Sequence, residues 1–179
     1  MRIAVLASGS GTILDSIVAA SIPVALVVAD RSCGALEVAA RHGLATKLLE
    51  RPSFGEDFDR VAYSVAVAEL LEGERIDLVV MAGWGTVFAQ PMFDAFDGRI
   101  VNTHPALLPA FKGWHAVRDA LAAGVKVTGC TVHVATLALD DGPILAQEAV
   151  AVREDDTEET LHERIKGVER RLYTETVAA

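Results

Sequence analysis

Two short segments carry side chains whose types and spacing suit acyl transfer. In residues 101–113, V-N-T-H-P-A-L-L-P-A-F-K-G, Asn102 and His104 end an apolar run and precede a proline-punctuated loop. In an extended chain, period-two alternation puts both side chains on one side. Asparagine offers an amide donor. Histidine offers a second donor when protonated, or a base when neutral. Together they can hold an oxyanion and manage a proton, the two tasks of moving an acyl group from a carbonyl donor to an amine. In residues 139–147, L-D-D-G-P-I-L-A-Q, two acids precede an apolar strand. A carboxylate brought to His104 would orient the ring and favour the imidazolium. Each segment taken alone also reads as ordinary turn chemistry.

A third segment, Ser8-Gly9-Ser10-Gly11-Thr12, joins an apolar run to an amphipathic one. Glycines let a backbone approach an anion, and the amides of a helix start point at it. The hydroxyls of Ser8, Ser10 and Thr12 add donors. The competing reading is a tight turn with Thr12 as helix N-cap. A dinucleotide fingerprint needs a third glycine, where Leu14 stands, although Asp30 meets the requirement for an acid ~20 positions on. A P-loop needs a lysine that is absent here. A phosphomonoester suits this loop best.

The elements that must position these residues alternate. Strands are expected over residues 2–7, 23–29, 45–49, 77–82, 98–103, 128–135 and 144–152. Helices are expected over 12–20, 35–42, 57–71, 114–123 and 158–177. This order predicts an α/β fold: one domain, a mostly parallel twisted Rossmann-type sheet with helices on both faces, and an antiparallel last pair. Near-continuous apolar strands agree, because parallel strands are covered on both faces. Ligands then belong beyond the carboxyl ends of the strands.

The bulk properties narrow the class. The 179 residues are 51% hydrophobic and 23% charged, as in an ordinary globular chain. The net charge of −9 argues against broad phosphate-backbone contact, so no nucleic-acid partner is expected. The apolar runs are too short to span a bilayer, and no signal-peptide pattern opens the chain. Cys33 and Cys130 form neither a metal spacing nor a disulfide framework, which points to a reduced cytoplasm. No metal cluster is expected.

With residues 102–115, the run V-K-V-T-G-C-T-V-H at 125–133 and L-D-D-G-P-I-L-A-Q at 139–147, the sequence resembles the folate-dependent formyltransferases that act on phosphoribosylglycinamide. The resemblance covers essentially the whole chain. It implies formyl transfer from 10-formyltetrahydrofolate, a consumed co-substrate, to the glycinamide amine in purine synthesis. By motif position, Asn102, His104 and Asp140 match the catalytic trio, and Asp140 is chosen over Asp141 by the pattern L-D-x-G-P. Asn102 and protonated His104 would stabilise the oxyanion, and Asp140 would pair with His104. His133 would support them, or equally be a core histidine.

The resemblance also assigns ligand residues. Gly9, Ser10, Gly11, Thr12 and Ile13 match the phosphate loop, although Ile13 replaces a common asparagine and cannot donate. Gly85, Thr86, Val87 and Phe88, with Thr136 and Leu137, match folate-lining positions. The family pattern there is closer to A-G-F-M-R-I-L, so Gly85 and Thr86 replace a bulky residue and an arginine. Trp84 and Phe88 also read as core. Glu169 matches a ribose-holding glutamate, and Lys166 reads as a surface salt-bridge partner. Family members usually continue beyond Ala179, so a shortened C-terminus is expected, in a monomer or homodimer. The alternatives are a formyltetrahydrofolate deformylase, an enzyme acting on initiator methionyl-tRNA, or an inactive ligand-binding relative. Replacing His104 or Asp140, both expected at loop edges, should lower turnover far more than stability.

Overall fold

The computed structural model describes residues 1–53 and 55–179. The chain divides into two compact units, Met1–Val101 and Asn102–Ala179.

In the first unit, β1 (Ile3–Ala7) pairs in parallel with β2 (Val24–Ala29) and β4 (Leu78–Met81), and β2 pairs with β3 (Thr46–Leu48), giving the order β3-β2-β1-β4. Every residue of β1 is buried, as its unbroken apolar sequence requires of a strand covered on both faces. The register sets Ala7 beside Ala29 and Leu6 beside Met81. The segments that follow these strands, 8–11, 30–33 and 82–89, therefore leave the same edge of the sheet.

The helices of this unit are α1 (Thr12–Ala19), α2 (Gly34–Arg41), α3 (Arg60–Gly73) and α4 (Gln90–Ala95). Helix α3 starts three residues after the position expected, because the Asp59 side chain caps it, accepting from Ala62 N at 2.9 Å. Helix α4 was not expected from the sequence. It is six residues long, too short to display a period, and is marked only by a proline in its first turn and buried Met92.

Strand β5 (Ile100–His104) begins in the first unit and ends in the second. The second unit continues with α5 (Ala116–Ala122), β6 (Val127–Val134), β7 (Ile144–Ala151) and α6 (Glu158–Ala178). Strands β6 and β7 are antiparallel, with Thr131 opposite Gln147 and a register shift between Val132 and His133. The expected fold class is thus borne out: an α/β chain with mostly parallel strands and an antiparallel last pair. Helix α6 opens on a capping box in which Thr157 and Thr160 exchange backbone and side-chain bonds. It packs on β6 and β7. Leu161 and Ile165, four residues apart on one face, are fully buried, worth roughly 1.5–3 kcal/mol each.

Candidate active site

The chemistry-bearing side chains of the second unit start from the end of β5. Alternation sends Asn102 and His104 to one side and Thr103 to the other. His104 is only 4% exposed. Its Nε2 lies 2.7 Å from the Phe111 carbonyl oxygen, and its Nδ1 lies 3.4 Å from Asp140 Oδ2. A carbonyl only accepts, so Nε2 donates to it, while Nδ1 faces the carboxylate.

Asp140 sits in a left-handed backbone conformation, φ 52°, which Asp tolerates better than most residues. Its Oδ2 accepts from Gly113 N at 2.8 Å, and its Oδ1 lies 3.7 Å from His133 Nε2. The neighbouring Gly142 has to be glycine, since a Cβ there would run into the Val134 carbonyl. Asp141 is exposed and pairs with Lys112. Of the two acids, Asp140 is therefore the one turned inward.

His133, 1% exposed, connects the carboxylate to the amide. Its Nδ1 lies 3.1 Å from the Val134 carbonyl oxygen and so carries hydrogen. Burial pushes its pKa below the usual 6.5, against a smaller upward pull from that carbonyl and Asp140. The neutral ring then presents a bare Nε2, which accepts from Asn102 Nδ2 at 3.3 Å. This bond fixes which way the Asn102 amide points. Asn102, His104 and Asp140 thus meet in one connected cluster with His133 at its centre.

Sequence reasoning missed what holds this cluster. Phe111 O and Gly113 N come from a loop with no periodicity. Thr131 and Gln147, cross-strand partners on β6 and β7, brace the segment beneath His104. Thr131 Oγ1 donates to Ala106 O at 2.7 Å and accepts from Leu108 N at 3.0 Å. Gln147 Nε2 donates to Leu108 O at 2.8 Å. The available signal was that a proline-rich loop must find external partners for its buried backbone groups. His104, the last residue of β5, and Asp140, in the turn after β6, do lie at loop edges, but both are buried, so replacing either bears on stability as well.

On the opposite side of β5, Thr103 Oγ1 lies 3.3 Å from Cys130 Sγ and also bonds Glu169 of α6. Burial pushes the Glu169 carboxyl above its usual 4.5, with the Thr103 bond opposing. Burial likewise pushes the Cys130 thiol up to about 12. Lys166 pairs with Glu163 at 2.6 Å on the surface. Thr136 and Leu137 are exposed in the loop that leads to Asp140.

In the first unit, α1 is capped by Gly11 in a left-handed conformation, φ 81°, and not by Thr12, which is its first helical residue. A Cβ on Gly11 would also come within 2.7 Å of Ala35 Cα. No side chain caps α1, so its first amides suit an anion. Gly9, Ser10 and Thr12 are exposed beside them, whereas Ile13 is buried and can contribute only its backbone. Ser8 departs from expectation as a phosphate donor. Its hydroxyl accepts from Gly85 N at 2.6 Å and bonds Asp30.

The segment 82–88 alternates. Gly85 and Val87 are half-exposed, while Trp84, Thr86 and Phe88 are buried. Trp84 and Phe88 stack with centroids 5.6 Å apart, in keeping with core packing. Thr86 Oγ1 donates to Asp30 Oδ2 at 2.8 Å. Asp30 is fully buried. Burial raises its pKa, but bonds from Arg31, Ser8 and Thr86 outweigh that and hold it below 3.8. It is therefore committed to the interior and not offered to a nucleotide ribose. Among the described residues, no group of three or more His, Cys, Asp or Glu is gathered for a metal ion, and no helix is long and apolar enough to cross a membrane.

Comparison with known proteins places this geometry in context. Residues 1–177 match the family described as Formyl transferase. A Mycobacterium tuberculosis protein named phosphoribosylglycinamide formyltransferase is 47% identical, over 99% of this chain and 84% of that protein. The Bacillus subtilis protein of the same name is 34% identical, over 98% and 92%. A crystal structure of glycinamide ribonucleotide transformylase 1 from Symbiobacterium toebii superposes with a TM-score of 0.91 and 45% identity, covering 99% of this chain and 85% of that one.

Proposed function

The chain belongs to the formyl transferase family, and we propose that it transfers the formyl group of 10-formyltetrahydrofolate to the amine of 5-phosphoribosylglycinamide in purine biosynthesis, with residues 1–179 acting as one formyltransferase domain. The names of its relatives support this reading. The observation that carries it is His104 held between Asp140 and the Phe111 carbonyl, with Asn102 oriented by neutral His133.

The substrate amine attacks the formyl carbon, and the carbonyl oxygen becomes an oxyanion. Protonated His104, facing Asp140, supplies positive potential there. Its Nε2–H exchanges the Phe111 carbonyl for the oxyanion as charge develops. Asn102 gives its second amide hydrogen to the same oxygen. Preorganised donors of this kind act on charge present only in the transition state. As the new carbon–nitrogen bond forms, the amine loses a proton. The bond from carbon to folate N10 breaks, and N10 receives a proton, with Asp140 assisting the transfer.

The anion-ready start of α1, with Gly9, Ser10, Gly11, Thr12 and the Ile13 amide, is assigned to the substrate phosphate, and Glu169 to its ribose hydroxyls. The folate is assigned to Gly85, Thr86, Val87, Phe88, Thr136 and Leu137. It is a co-substrate, and the chemistry requires no metal.

The test is turnover of 10-formyltetrahydrofolate with and without phosphoribosylglycinamide. Formyl transfer that depends on the amine is expected. Folate hydrolysis at the same rate without the amine would overturn this reading in favour of a deformylase.

A further inference from the structure

Gly85 and Thr86 replace bulkier residues of the family pattern, and the structure shows what stands in their place. A Cβ built on Gly85 would lie 2.8 Å from Arg31 Nη2 and 3.2 Å from Ser8 Oγ. The guanidinium therefore occupies the space into which a side chain at position 85 would project. Arg31 reaches that position as one half of a bidentate pair. Its Nε lies 2.9 Å from Asp30 Oδ1 and its Nη2 3.1 Å from Asp30 Oδ2. Asp30 is wholly buried, so its charge needs such a partner, and the planar fork of arginine meets both carboxylate oxygens. The same Oδ2 accepts from Thr86, the residue standing where the family pattern has arginine. Ser8 completes the arrangement by donating its backbone N–H to Gly83 O and accepting from Gly85 N. Three of four successive residues in segment 83–86 are thus tied to groups at the ends of β1 and β2.

We propose that Arg31 is the positioning residue of the folate loop in this chain: its guanidinium fills the space over Gly85 and, through Asp30, fixes Thr86. Arg31 thus brings a cation from the end of β2 against a loop position that has no side chain of its own. This rests on the assignment of segment 85–88 to the folate, and deepens it. Arg31 acts on how the loop is presented and not on the formyl group.

The test is a cycle of Arg31→Ala, Gly85→Ala and the double variant, read two ways. The first readout is steady-state kinetics. Arg31→Ala is expected to raise the KM for 10-formyltetrahydrofolate roughly tenfold, the scale of one charge-assisted hydrogen bond, with kcat and the KM for the amine changed by less than about threefold. Gly85→Ala should do the same, because the new methyl displaces the guanidinium. The double variant should fall short of the product of the two single effects, since the clash with the guanidinium is gone and only the 3.2 and 3.3 Å approaches to Ser8 remain. The second readout is titration with tetrahydrofolate alone, followed by Trp84 fluorescence in a Trp114→Phe background. It reports loop binding without catalysis.

An unchanged folate affinity in Arg31→Ala would overturn the proposal. So would fully multiplicative effects of the two single variants. Should Arg31→Ala fail to fold, Arg31→Lys keeps the charge but loses the fork that meets both Asp30 oxygens, and unaltered folate binding in it overturns the proposal. Tetrahydrofolate binding by the unaltered protein without formyl transfer would defeat the transferase reading but leave the loop test intact.

Discussion

Asp140→Asn should separate chemistry from stability in a way that His104→Ala cannot. Asp140 has φ 52°, a conformation in which asparagine is several-fold enriched. The backbone therefore has no reason to move. The amide oxygen can accept from Gly113 N, 2.8 Å from the present Oδ2, and still face His104 Nδ1. The amide nitrogen then takes the place of Oδ1, facing the bare Nε2 of His133. What is lost is the charge. A hydrogen bond to a charged group contributes about 1 kcal/mol more than a neutral one, so the stability cost should be of that order. If the imidazolium depends on Asp140, the general acid–base contribution at risk is about 10²–10⁴-fold, or roughly 3–5 kcal/mol of barrier.

His104→Ala reverses the balance. It leaves the buried Phe111 carbonyl without its donor at 2.7 Å and opens a cavity in a nearly inaccessible site. An orphaned acceptor costs about 1–3 kcal/mol, and the lost packing adds to that. Its loss of turnover will thus be mixed with loss of fold. The measurements are urea unfolding and single-turnover formyl transfer on both variants. The reasoning is refuted if Asp140→Asn unfolds as easily as His104→Ala, or if it stays folded and turns over within about threefold of the unaltered protein.

Glu169→Gln should raise stability at neutral pH and weaken amine binding together. The carboxyl of Glu169 has a folded pKa above 4.5, so its stabilising effect is present below that value and is lost as pH rises through the folded value. A flatter melting profile between pH 5 and 7 and a higher KM for phosphoribosylglycinamide check it. His133 has a folded pKa below 6.5, so its contribution is present above 6.5 and declines as pH falls toward the folded value. Urea unfolding across that window should show a loss that His133→Gln reduces. Cys130 is buried and its thiol is pushed up to about 12, whereas Cys33 is partly accessible. A native thiol titration should find one fast group, and a second only on unfolding.

Strands β1 and β2 were legible because burial makes them apolar from end to end. That Asn102, His104 and Asp140 come together was anticipated through the family resemblance, since each segment alone reads as turn chemistry. What escaped reading depends on contacts distant in sequence or on short structure. Helix α4 has too few residues to show a period. Thr12 looked like an N-cap, but the chain turns at Gly11, where α2 leaves no room for a Cβ. Asp30 looked like a ribose ligand by spacing alone, and its commitment to Arg31 and Thr86 appears only when the strand ends are brought together. The bracing of Ala106 and Leu108 by Thr131 and Gln147 is likewise displayed by no local pattern.

These contacts also determine which functional quantities the unusual residues can change. Among the described residues, the bonds that orient Asn102, His104 and Asp140 come from the second unit: the Val134 carbonyl through His133, the Phe111 carbonyl, and Gly113 N. None involves Ile13, Gly85 or Thr86. Under the proposed assignments, substitutions at 13, 85 and 86 leave these bonds in place. A change that leaves the transition-state donors in place alters ground-state and transition-state binding alike, and appears in KM with kcat preserved. On those assignments, the departures at 13, 85 and 86 are expected to appear in KM, whereas a loss of kcat is expected from changes among the hydrogen bonds of Asn102, His104 and Asp140, each of which has a partner.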